Sequence, residues 1–343
     1  MFRITAAAAA LLLTLTACGG GAAPQPQGQA AAPVNAAFPV TISHKFGQTT
    51  VKSEPQRILT VGLTDQDAVL ALGKVPVATT EWFGGFPGAV GPWAKDRLGS
   101  AALPVVLKDA GTGPPVEKIA ALRPDLIVAL YAGLTKEQYA TLSKFAPVLA
   151  QPAGFRDFGI PWQEQTKLVG TALGKAAEAD RLVTDVAAKF AQAQRAHPAI
   201  VGKSAVVATP YEGFFVYGSQ DPRSRTLASL GLKLPADLDT VIGDKFGASI
   251  SKERGDLLDQ DAIVWTVPDP VKDPAKVRAD ALYKDLKVAK EARDVYLGEN
   301  DEFGAAFSQV TVLSLPYVIE RLAPRLAAAV DGDPATEVEQ SAS

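Results

Sequence analysis

Short apolar segments that alternate with helix-like segments constrain this chain more than any other feature of its sequence. Residues 57–62 form the first apolar segment, residues 65–72 follow helical spacing, and Gly73 ends that helix. A repeated strand and helix alternation favours a parallel sheet with helices on both faces. Further elements predicted in this half are strands at residues 75–80, 125–131 and 148–150 and helices at residues 115–122 and 136–145.

Residues 162–196 form the longest periodic segment, and their apolar side chains fall on one broad stripe. As a single helix this segment would extend over about 50 Å, which is more than one α/β unit needs. We therefore predict that it connects two lobes. Beyond it the alternation resumes, with predicted strands at residues 204–208, 262–267 and 294–297 and helices at residues 226–230, 252–258 and 316–329.

The length and composition agree with two lobes. With 343 residues, 47% of them apolar, the chain is too long for one ordinary core and too apolar to be disordered. We predict two Rossmann-like α/β lobes joined by a long α-helix, with a ligand cleft between them, because pockets favour strand carboxyl ends and domain interfaces. The predicted parts are a signal peptide (1–17), a flexible tether (18–37), an N-terminal lobe (38–160), an interlobe helix (161–197), a C-terminal lobe (198–330) and an acidic tail (331–343).

The amino-terminal residues have the layout of a secretory signal. Arg3 precedes a small and apolar stretch at residues 6–13. Cys18 is the chain's single cysteine, so no internal disulfide can form. Residues 15–18, Leu-Thr-Ala-Cys, resemble the lipobox of bacterial lipoproteins, which implies lipidation of Cys18 and anchoring at the extracytoplasmic face of the cell membrane. The uncharged residues 19–37 then form the tether.

Charge and motif content disfavour several function classes. The chain has 34 Lys and Arg residues against 37 Asp and Glu residues, so no basic excess indicates a nucleic-acid partner. His44 and His197, 153 positions apart, cannot form a closely spaced zinc pair. The start of a dinucleotide motif at Gly111 and Gly113 has Val116 in place of its last glycine. No pattern typical of a catalyst remains.

Short motifs follow one another in an order typical of a known family. In the first half they are residues 41–44 (TISH), 55–58 (PQRI), 71–73 (ALG), 116–119 (VEKI), 121–127 (ALRPDLI), 145–147 (FAP) and 170–174 (GTALG). In the second half they are residues 221–223 (DPR), 230–231 (LG), 251–253 (SKE), 307–308 (FS) and 313–317 (LSLPY). In this order the chain resembles the ferric-siderophore substrate-binding lipoproteins of ABC importers, a class that also carries haem and vitamin B12.

The resemblance implies a function in transport. It implies a monomer that binds one ferric siderophore in the cleft, with modest closure, and delivers it to a membrane permease with its ATPase. The ferric siderophore is then the transported ligand; no resident cofactor, no metal-ligating side chains and no enzymatic reaction are implied. The class also implies one carboxylate per lobe that docks on the permease. Glu253 matches this pattern better than Asp96 does, although a first-turn carboxylate is also favoured by the helix dipole.

Large aromatic residues and one arginine, placed after predicted strands, are the candidate ligand contacts. Aromatic rings at strand ends can stack on the rim of a chelate or pack in the core. Arg223 offers a planar donor fork to hydroxamate, catecholate or carboxylate oxygens, unless it pairs with Asp221. Trp265, at the end of a strand, suits the core nearly as well. The candidates are Trp82, Phe83, Tyr131, Tyr211, Arg223, Phe246, Trp265 and Phe303.

Three other functions compete with this interpretation. A haem-binding lipoprotein of the same class would use Tyr131 or Tyr211 as an axial ligand. A cell-envelope lipoprotein without a transport role would share the anchor but bind no chelate. An enzyme that acts on the chelate would need a base beside Ser219, Ser224 or Ser308, and neither histidine is placed to serve as one.

Replacing Cys18 tests the predicted anchor. We expect Cys18→Ala to release the folded protein from the membrane, because it removes the acylated residue and leaves the lobes unchanged. Detergent-free fractionation measures the membrane-bound share. Full membrane retention of Cys18→Ala, with the leader cleaved normally, would contradict lipid anchoring.

Overall fold

The computed structural model describes residues 37–109, 111 and 113–340. The predicted signal peptide, Cys18 and the tether up to residue 36 lie outside the described residues, as do the last three residues of the acidic tail. Among the helices that the model describes, none combines the length and the apolar character that crossing a membrane requires.

The first half of the chain contains a β-hairpin and a parallel five-stranded sheet. Its elements are β1 (Val40–His44), β2 (Gly47–Val51), β3 (Ile58–Thr60), α1 (Asp65–Ala71), β4 (Ala78–Thr80), β5 (Val105–Leu107), α2 (Val116–Leu122), β6 (Leu126–Ala129), α3 (Lys136–Leu142) and β7 (Val148–Ala150). The sheet order is β5-β4-β3-β6-β7 and every neighbouring pair is parallel. The predicted strands and helices of this half are confirmed, and the hairpin strands β1 and β2 and the short edge strand β5 are additions to them.

The hairpin β1-β2 accounts for one of the two histidines. His44 is buried, its Nε2 lies 3.0 Å from Thr49 Oγ1 and 3.3 Å from Tyr139 Oη, and its ring packs on Tyr139. Burial lowers the pKa of His44, which favours the neutral ring. His44 therefore joins the hairpin to α3 and has a structural role.

The prediction of one continuous helix over residues 162–196 is wrong, because the segment forms two helices. The chain forms α4 (Trp162–Ala172) and α5 (Ala176–Ala196), separated by a turn at Gly174. Gly174 has a φ of 68° and donates to the carbonyl of Thr171 at 3.1 Å, while Lys175 donates to that of Gly170 at 2.7 Å. This is a glycine-terminated helix end, in which the left-handed residue turns the chain away from the helix axis.

The connection between the lobes is α5 alone. Ala179 near its start belongs to the core of the first sheet, whereas Val186 and Phe190 belong to that of the second half. Leu182, between them, packs against both cores. With 21 residues, α5 is about 32 Å long. It therefore passes from one lobe to the other without a break.

The second half forms a mixed five-stranded sheet. Its elements are β8 (Ala205–Thr209), β9 (Phe214–Tyr217), α6 (Pro222–Ser229), α7 (Leu238–Ile242), β10 (Gly247–Ile250), β11 (Ala262–Val267), α8 (Asp273–Ala279), α9 (Lys287–Lys290), β12 (Asp294–Gly298), α10 (Glu302–Gln309) and α11 (Ser314–Ala329). The order is β10-β9-β8-β11-β12. β8, β11 and β12 are parallel, whereas β9 runs antiparallel to β8 and to β10.

The antiparallel strands correct the expectation of a purely parallel sheet. Only residues 210–213 separate β8 from β9, which is too short for a parallel crossover, and Gly213 turns the chain with a φ of 94°. The helix predicted at 252–258 is a 3-10 helix (Lys252–Leu257). The other predicted strands and helices of this half are confirmed.

The described part of the acidic tail covers the edge of the second sheet. Gln340 Oε1 accepts a hydrogen bond from Tyr296 N at 2.7 Å, and Gln340 Nε2 donates to the carbonyl of Asp294 at 3.3 Å. Val338 is buried in the core of that half. The amide of Gln340 thus satisfies backbone groups of the edge strand β12, which would otherwise be open to another strand.

Candidate functional site

A row of aromatic rings lies where β4 and β6 of the first sheet end. Trp82 follows β4 and Tyr131 follows β6, and their ring centroids are 5.9 Å apart. Phe83 packs on Trp82 at 4.6 Å, and Phe158 packs edge-on against Tyr131 at 5.3 Å. The structure therefore brings Trp82, Phe83 and Tyr131 together in one wall. Phe158, in a loop without periodic spacing, was not among the sequence candidates.

A buried carboxylate at the start of α1 positions Tyr131. The side chain of Asp65 accepts hydrogen bonds from the backbone of Leu130 at 2.8 Å and of Tyr131 at 3.2 Å. Gln165 Nε2 of α4 donates to the same carboxylate at 2.6 Å. A Cβ at position 62 would lie 2.0 Å from Asp65 Oδ2, so the close approach of the chain there requires Gly62.

A cavity of about 520 Å³ opens beside this wall at the carboxyl ends of β3, β4, β5 and β6. Phe158 belongs both to its lining and to the aromatic row. Its charged groups include Glu81 and Lys108, whose Oε2 and Nζ are 3.1 Å apart, and Asp109. The cavity therefore has the location expected for the first lobe's share of a ligand cleft.

Arg223 of α6 is paired rather than free. Its Nε and Nη2 donate to the two carboxylate oxygens of Asp221 at 2.9 and 2.8 Å, and its Cζ lies 3.6 Å from the ring centroid of Tyr217. Asp221 also caps α6, because it accepts a hydrogen bond from the backbone of Arg223. The alternative in which Arg223 pairs with Asp221 is confirmed, and the guanidinium keeps Nη1, which has no hydrogen-bond partner in the part of the chain that the model describes.

Phe246 stands at the edge of a second aromatic cluster, in the second lobe. Its ring is 5.4 Å from that of Phe215 and 6.5 Å from that of Tyr217, the ring under Arg223. The side chain is 54% exposed. Phe246 therefore offers an open aromatic face next to Arg223.

Three contacts place the two walls opposite one another. Arg225 donates from both Nη atoms to the carbonyl of Gly159 at 3.0 Å, and Gly84 N lies 3.5 Å from Asn300 Oδ1. Arg156 Nη1 donates to the carbonyl of Lys245 at 2.6 Å. Each contact joins a loop of the first lobe to one of the second. Tyr131 also interacts electrostatically with Arg223, so the aromatic row and the Arg223 region lie near one another at the boundary between the lobes.

The phenol of Tyr131 stays protonated in this cleft. Burial, together with the nearby carboxylate of Asp221, raises the pKa of Tyr131 well above its ordinary value of 10.0. Asp221 belongs to the second lobe, so this interaction also crosses the cleft. At neutral pH Tyr131 therefore presents a neutral ring and a hydroxyl.

Glu299, which sequence reasoning missed, contributes a carboxylate to the cleft. It follows β12, its Oε1 lies 3.5 Å from Thr209 Oγ1, and its half-buried side chain is close enough to Arg223 to interact electrostatically. Burial raises the pKa of Glu299, and Arg223 opposes that rise. Glu299 has no motif around it, and only its position after a parallel strand could have identified it.

Two predicted ligand contacts are wrong. Trp265 is fully buried and packs on Phe214 at 4.9 Å, because β11 is the strand between β8 and β12 and helices cover it. Phe303 is 5% exposed because it lies in the first turn of α10, not in a loop, and packs against α11 at Tyr317. Both side chains belong to the core.

The other predicted residues lie on the surface. Tyr211 follows β8 at its carboxyl end and is 62% exposed. Asp96 is exposed in the 3-10 helix Pro92–Leu98, and Glu253 is exposed in the first turn of Lys252–Leu257. Within residues 37–109, 111 and 113–340, no group of His, Cys, Asp and Glu residues is arranged to hold a metal ion.

Comparison with known proteins places the chain in one family. A model of the periplasmic binding protein family matches residues 64–301. The Fe(3+) dicitrate-binding periplasmic protein FecB of Escherichia coli is 28% identical over 215 residues, which span 59% of this chain and 65% of that protein. The match thus covers a little under two thirds of the E. coli relative.

Solved structures resemble the chain over a greater length. A periplasmic solute binding protein from Mycobacterium smegmatis is 36% identical, with a TM-score of 0.74, over 85% of this chain and 98% of the other. PiaA from Streptococcus pneumoniae, solved in complex with ferrichrome, is 29% identical, with a TM-score of 0.76, over 85% of this chain and 99% of the other. These likenesses confirm the two-lobed α/β fold.

The titration of Asp65 provides a test of its buried position. Burial raises its pKa from 3.8 to about 6, so the folded protein binds a proton there that the unfolded chain has lost. Its contribution to stability is therefore full below pH 4 and is lost as the pH rises through 6, by about 3 kcal/mol in total.

The free energy of unfolding of the wild type, minus that of Asp65→Asn, should fall between pH 4 and pH 7. Urea denaturation at each pH measures both free energies of unfolding. A part of their difference that is the same at every pH reports only altered hydrogen bonding. Asp96→Asn makes the same replacement at an exposed position and serves as the control. A pH-independent difference for Asp65→Asn would contradict the burial argument.

Proposed function

Because this chain belongs to the periplasmic binding protein family, we propose that it is the extracytoplasmic substrate-binding component of an ABC importer and that it captures a ferric siderophore. The observation that carries this proposal is the cleft itself. In this proposal Trp82 and Tyr131 form one side of the cleft, and Arg223 and Phe246 form the other, as their ring contacts within each lobe support. Relatives named for binding Fe(3+) dicitrate or solved with ferrichrome support the choice of ligand class.

The chemistry of a ferric chelate fits these walls. The siderophore supplies the oxygen ligands of the iron, so the protein needs surfaces that contact the organic rim and donors for the iron-bound oxygens. Aromatic rings provide large and rigid contact areas. Nη1 of Arg223 carries the donors that Asp221 leaves available.

The burial of Tyr131 favours a siderophore over haem. An axial tyrosine ligand must reach the haem iron, whereas the Tyr131 side chain is 8% exposed and packs between Trp82 and Phe158. We assign the protein no catalytic step, because its role is to bind the chelate and release it unchanged.

The carrier would act as a lipid-anchored monomer. One cleft in one chain needs no second copy, and acylated Cys18 would keep the lobes near the permease and its ATPase. Glu253 and Asp96 are the proposed docking carboxylates, one in each lobe, and both are exposed.

Phe246 gives a direct test of ligand binding. Its ring is half exposed, so Phe246→Ala should leave the fold intact but remove one wall of the cleft. We expect the Kd for ferrichrome or ferric dicitrate, whichever binds, to rise about tenfold, as loss of a buried aromatic contact predicts. Quenching of tryptophan fluorescence by the ferric chelate measures the Kd.

Phe145→Ala is the matched control. Phe145 is 41% exposed and precedes β7, so it lies at the amino end of that strand, whereas the cavity opens at the carboxyl ends of the strands. Its replacement should leave the Kd unchanged. Equal affinities for the wild type and Phe246→Ala would contradict the placement of the ligand, and a Soret shift on haem addition that is lost in Tyr211→Phe would favour haem.

Charge reversal tests the docking carboxylates. In the double variant Glu253→Arg and Asp96→Arg, we expect iron uptake by cells to fall while chelate affinity in solution stays unchanged, because docking charges act mainly on association. Glu337→Arg reverses another exposed carboxylate and serves as the control. Normal uptake by the double variant, at wild-type surface levels, would show that the permease docks elsewhere.

A further inference from the structure

The buried cation of the second wall is already neutralised. Asp221 is 4% exposed and engages Arg223 through both carboxylate oxygens. Its position is fixed twice, by this pair and by its role as the cap of α6. A chelate that meets Arg223 therefore meets an ion pair, which donates hydrogen bonds from Nη1 but adds no net charge.

The remaining charges of the second wall also cancel. Arg225, whose Nη atoms bind the Gly159 carbonyl, interacts electrostatically with Asp221. Glu299 adds a second carboxylate next to Arg223. Two guanidinium groups thus face two carboxylates, and both carboxylates are at least partly shielded from water, which strengthens their effect on a bound ion.

The first wall likewise carries no cationic excess. Lys108 is paired with Glu81 at 3.1 Å. Asp109 accepts hydrogen bonds from the backbone of Gly111 at 2.8 Å and of Gly113 at 2.9 Å, so its carboxylate is held in the cavity lining. With the guanidinium of Arg156, which reaches the Lys245 carbonyl of the second lobe, this wall presents two carboxylates against two cationic groups.

We propose that the cleft selects ferric chelates without net negative charge and that Glu299 is the residue that disfavours anionic ones. This inference rests on the proposed function. An anionic chelate placed between the walls would bring its charge close to Glu299 and Asp221, and juxtaposed like charges oppose binding strongly. A neutral chelate keeps the aromatic contacts and the hydrogen bonds of Arg223 without that repulsion.

Glu299 is better suited than Asp221 to determine the charge selectivity of the cleft. Asp221 pairs with the Arg223 guanidinium and caps α6, so its replacement would disturb the fold. Within the described part of the chain, the Glu299 side chain accepts one weak hydrogen bond, from Thr209 Oγ1 at 3.5 Å. Glu299 also lies next to Asn300, which approaches Gly84 of the first wall. Replacement by glutamine removes the charge and keeps the shape.

The test measures Kd values by tryptophan quenching for three ferric chelates: ferrichrome, which is neutral, and ferric dicitrate and a ferric tricatecholate, which are anionic. In the wild type we expect ferrichrome to bind at least about tenfold tighter than either anionic chelate. In Glu299→Gln this ratio should shrink by about tenfold, because loss of the carboxylate favours the anionic chelates over ferrichrome.

Two variants complete the experiment. Glu299→Asp keeps the charge and should keep the wild-type ratio, whereas Glu320→Gln removes an exposed carboxylate in the groove between α5 and α11 and should change nothing. Tighter binding of an anionic chelate by the wild type, or an unchanged ratio in Glu299→Gln, would overturn the inference and leave the proposed function standing. Binding of none of the three chelates would overturn the proposed function and the inference together.

Discussion

The carboxylate of Asp65 holds together the elements on which the cleft depends. It lies in the first turn of α1 and accepts hydrogen bonds from the backbone after β6 and from Gln165 of α4. One buried carboxylate thus connects α1 to α4 and to the carboxyl end of β6 by hydrogen bonds. The hydrogen bonds from the backbone of Leu130 and Tyr131 to Asp65 fix the start of the loop that follows β6. Gly62 allows the chain to pass close to the Asp65 carboxylate. These hydrogen bonds position Tyr131, on which the other rings of the aromatic row pack.

A second carboxylate on the same helix reaches toward the other lobe. Asp67 accepts hydrogen bonds from Trp93 Nε1, at 2.8 Å, and from Thr311 Oγ1, which precedes α11. Burial raises the pKa of Asp67 to about 6, and the hydrogen bonds from Thr311 and Trp93 offset only part of the loss of water. Helix α1 is therefore linked through Asp65 to the cleft edge and through Asp67 to the second lobe.

The fold was predictable because strand and helix periodicity is local. Apolar runs such as residues 57–62 and 262–267 identify buried strands without knowledge of their neighbours. The break between α4 and α5 was also visible, since Gly174 interrupts the periodic segment, but the apolar stripe on both sides concealed it. The pairing of β9 with β8 was less visible, because a tight turn and a loop have similar composition.

The site was predictable only where its residues follow strands. That rule selected Trp82 and Tyr131 as candidates, and Phe246 was selected by its place in a loop between charged and glycine residues. Trp265 and Phe303 show where the rule fails, because an aromatic ring at the end of a segment can turn into the core. Glu299 was missed since its importance comes from Arg223, 76 positions earlier, and single-sequence patterns contain no such pairing.

The connection between the lobes determines how such a cleft can discriminate between ligands. Helix α5 is embedded in both cores, so it restricts the lobes to small relative movements. The contacts across the cleft, from Arg225 and Arg156 to backbone carbonyls, use acceptors that do not change with the ligand. A wide closure that remodels the walls around each chelate is thereby disfavoured. Selectivity must then come from what the walls already present, which is aromatic surface and ion pairs whose charges cancel.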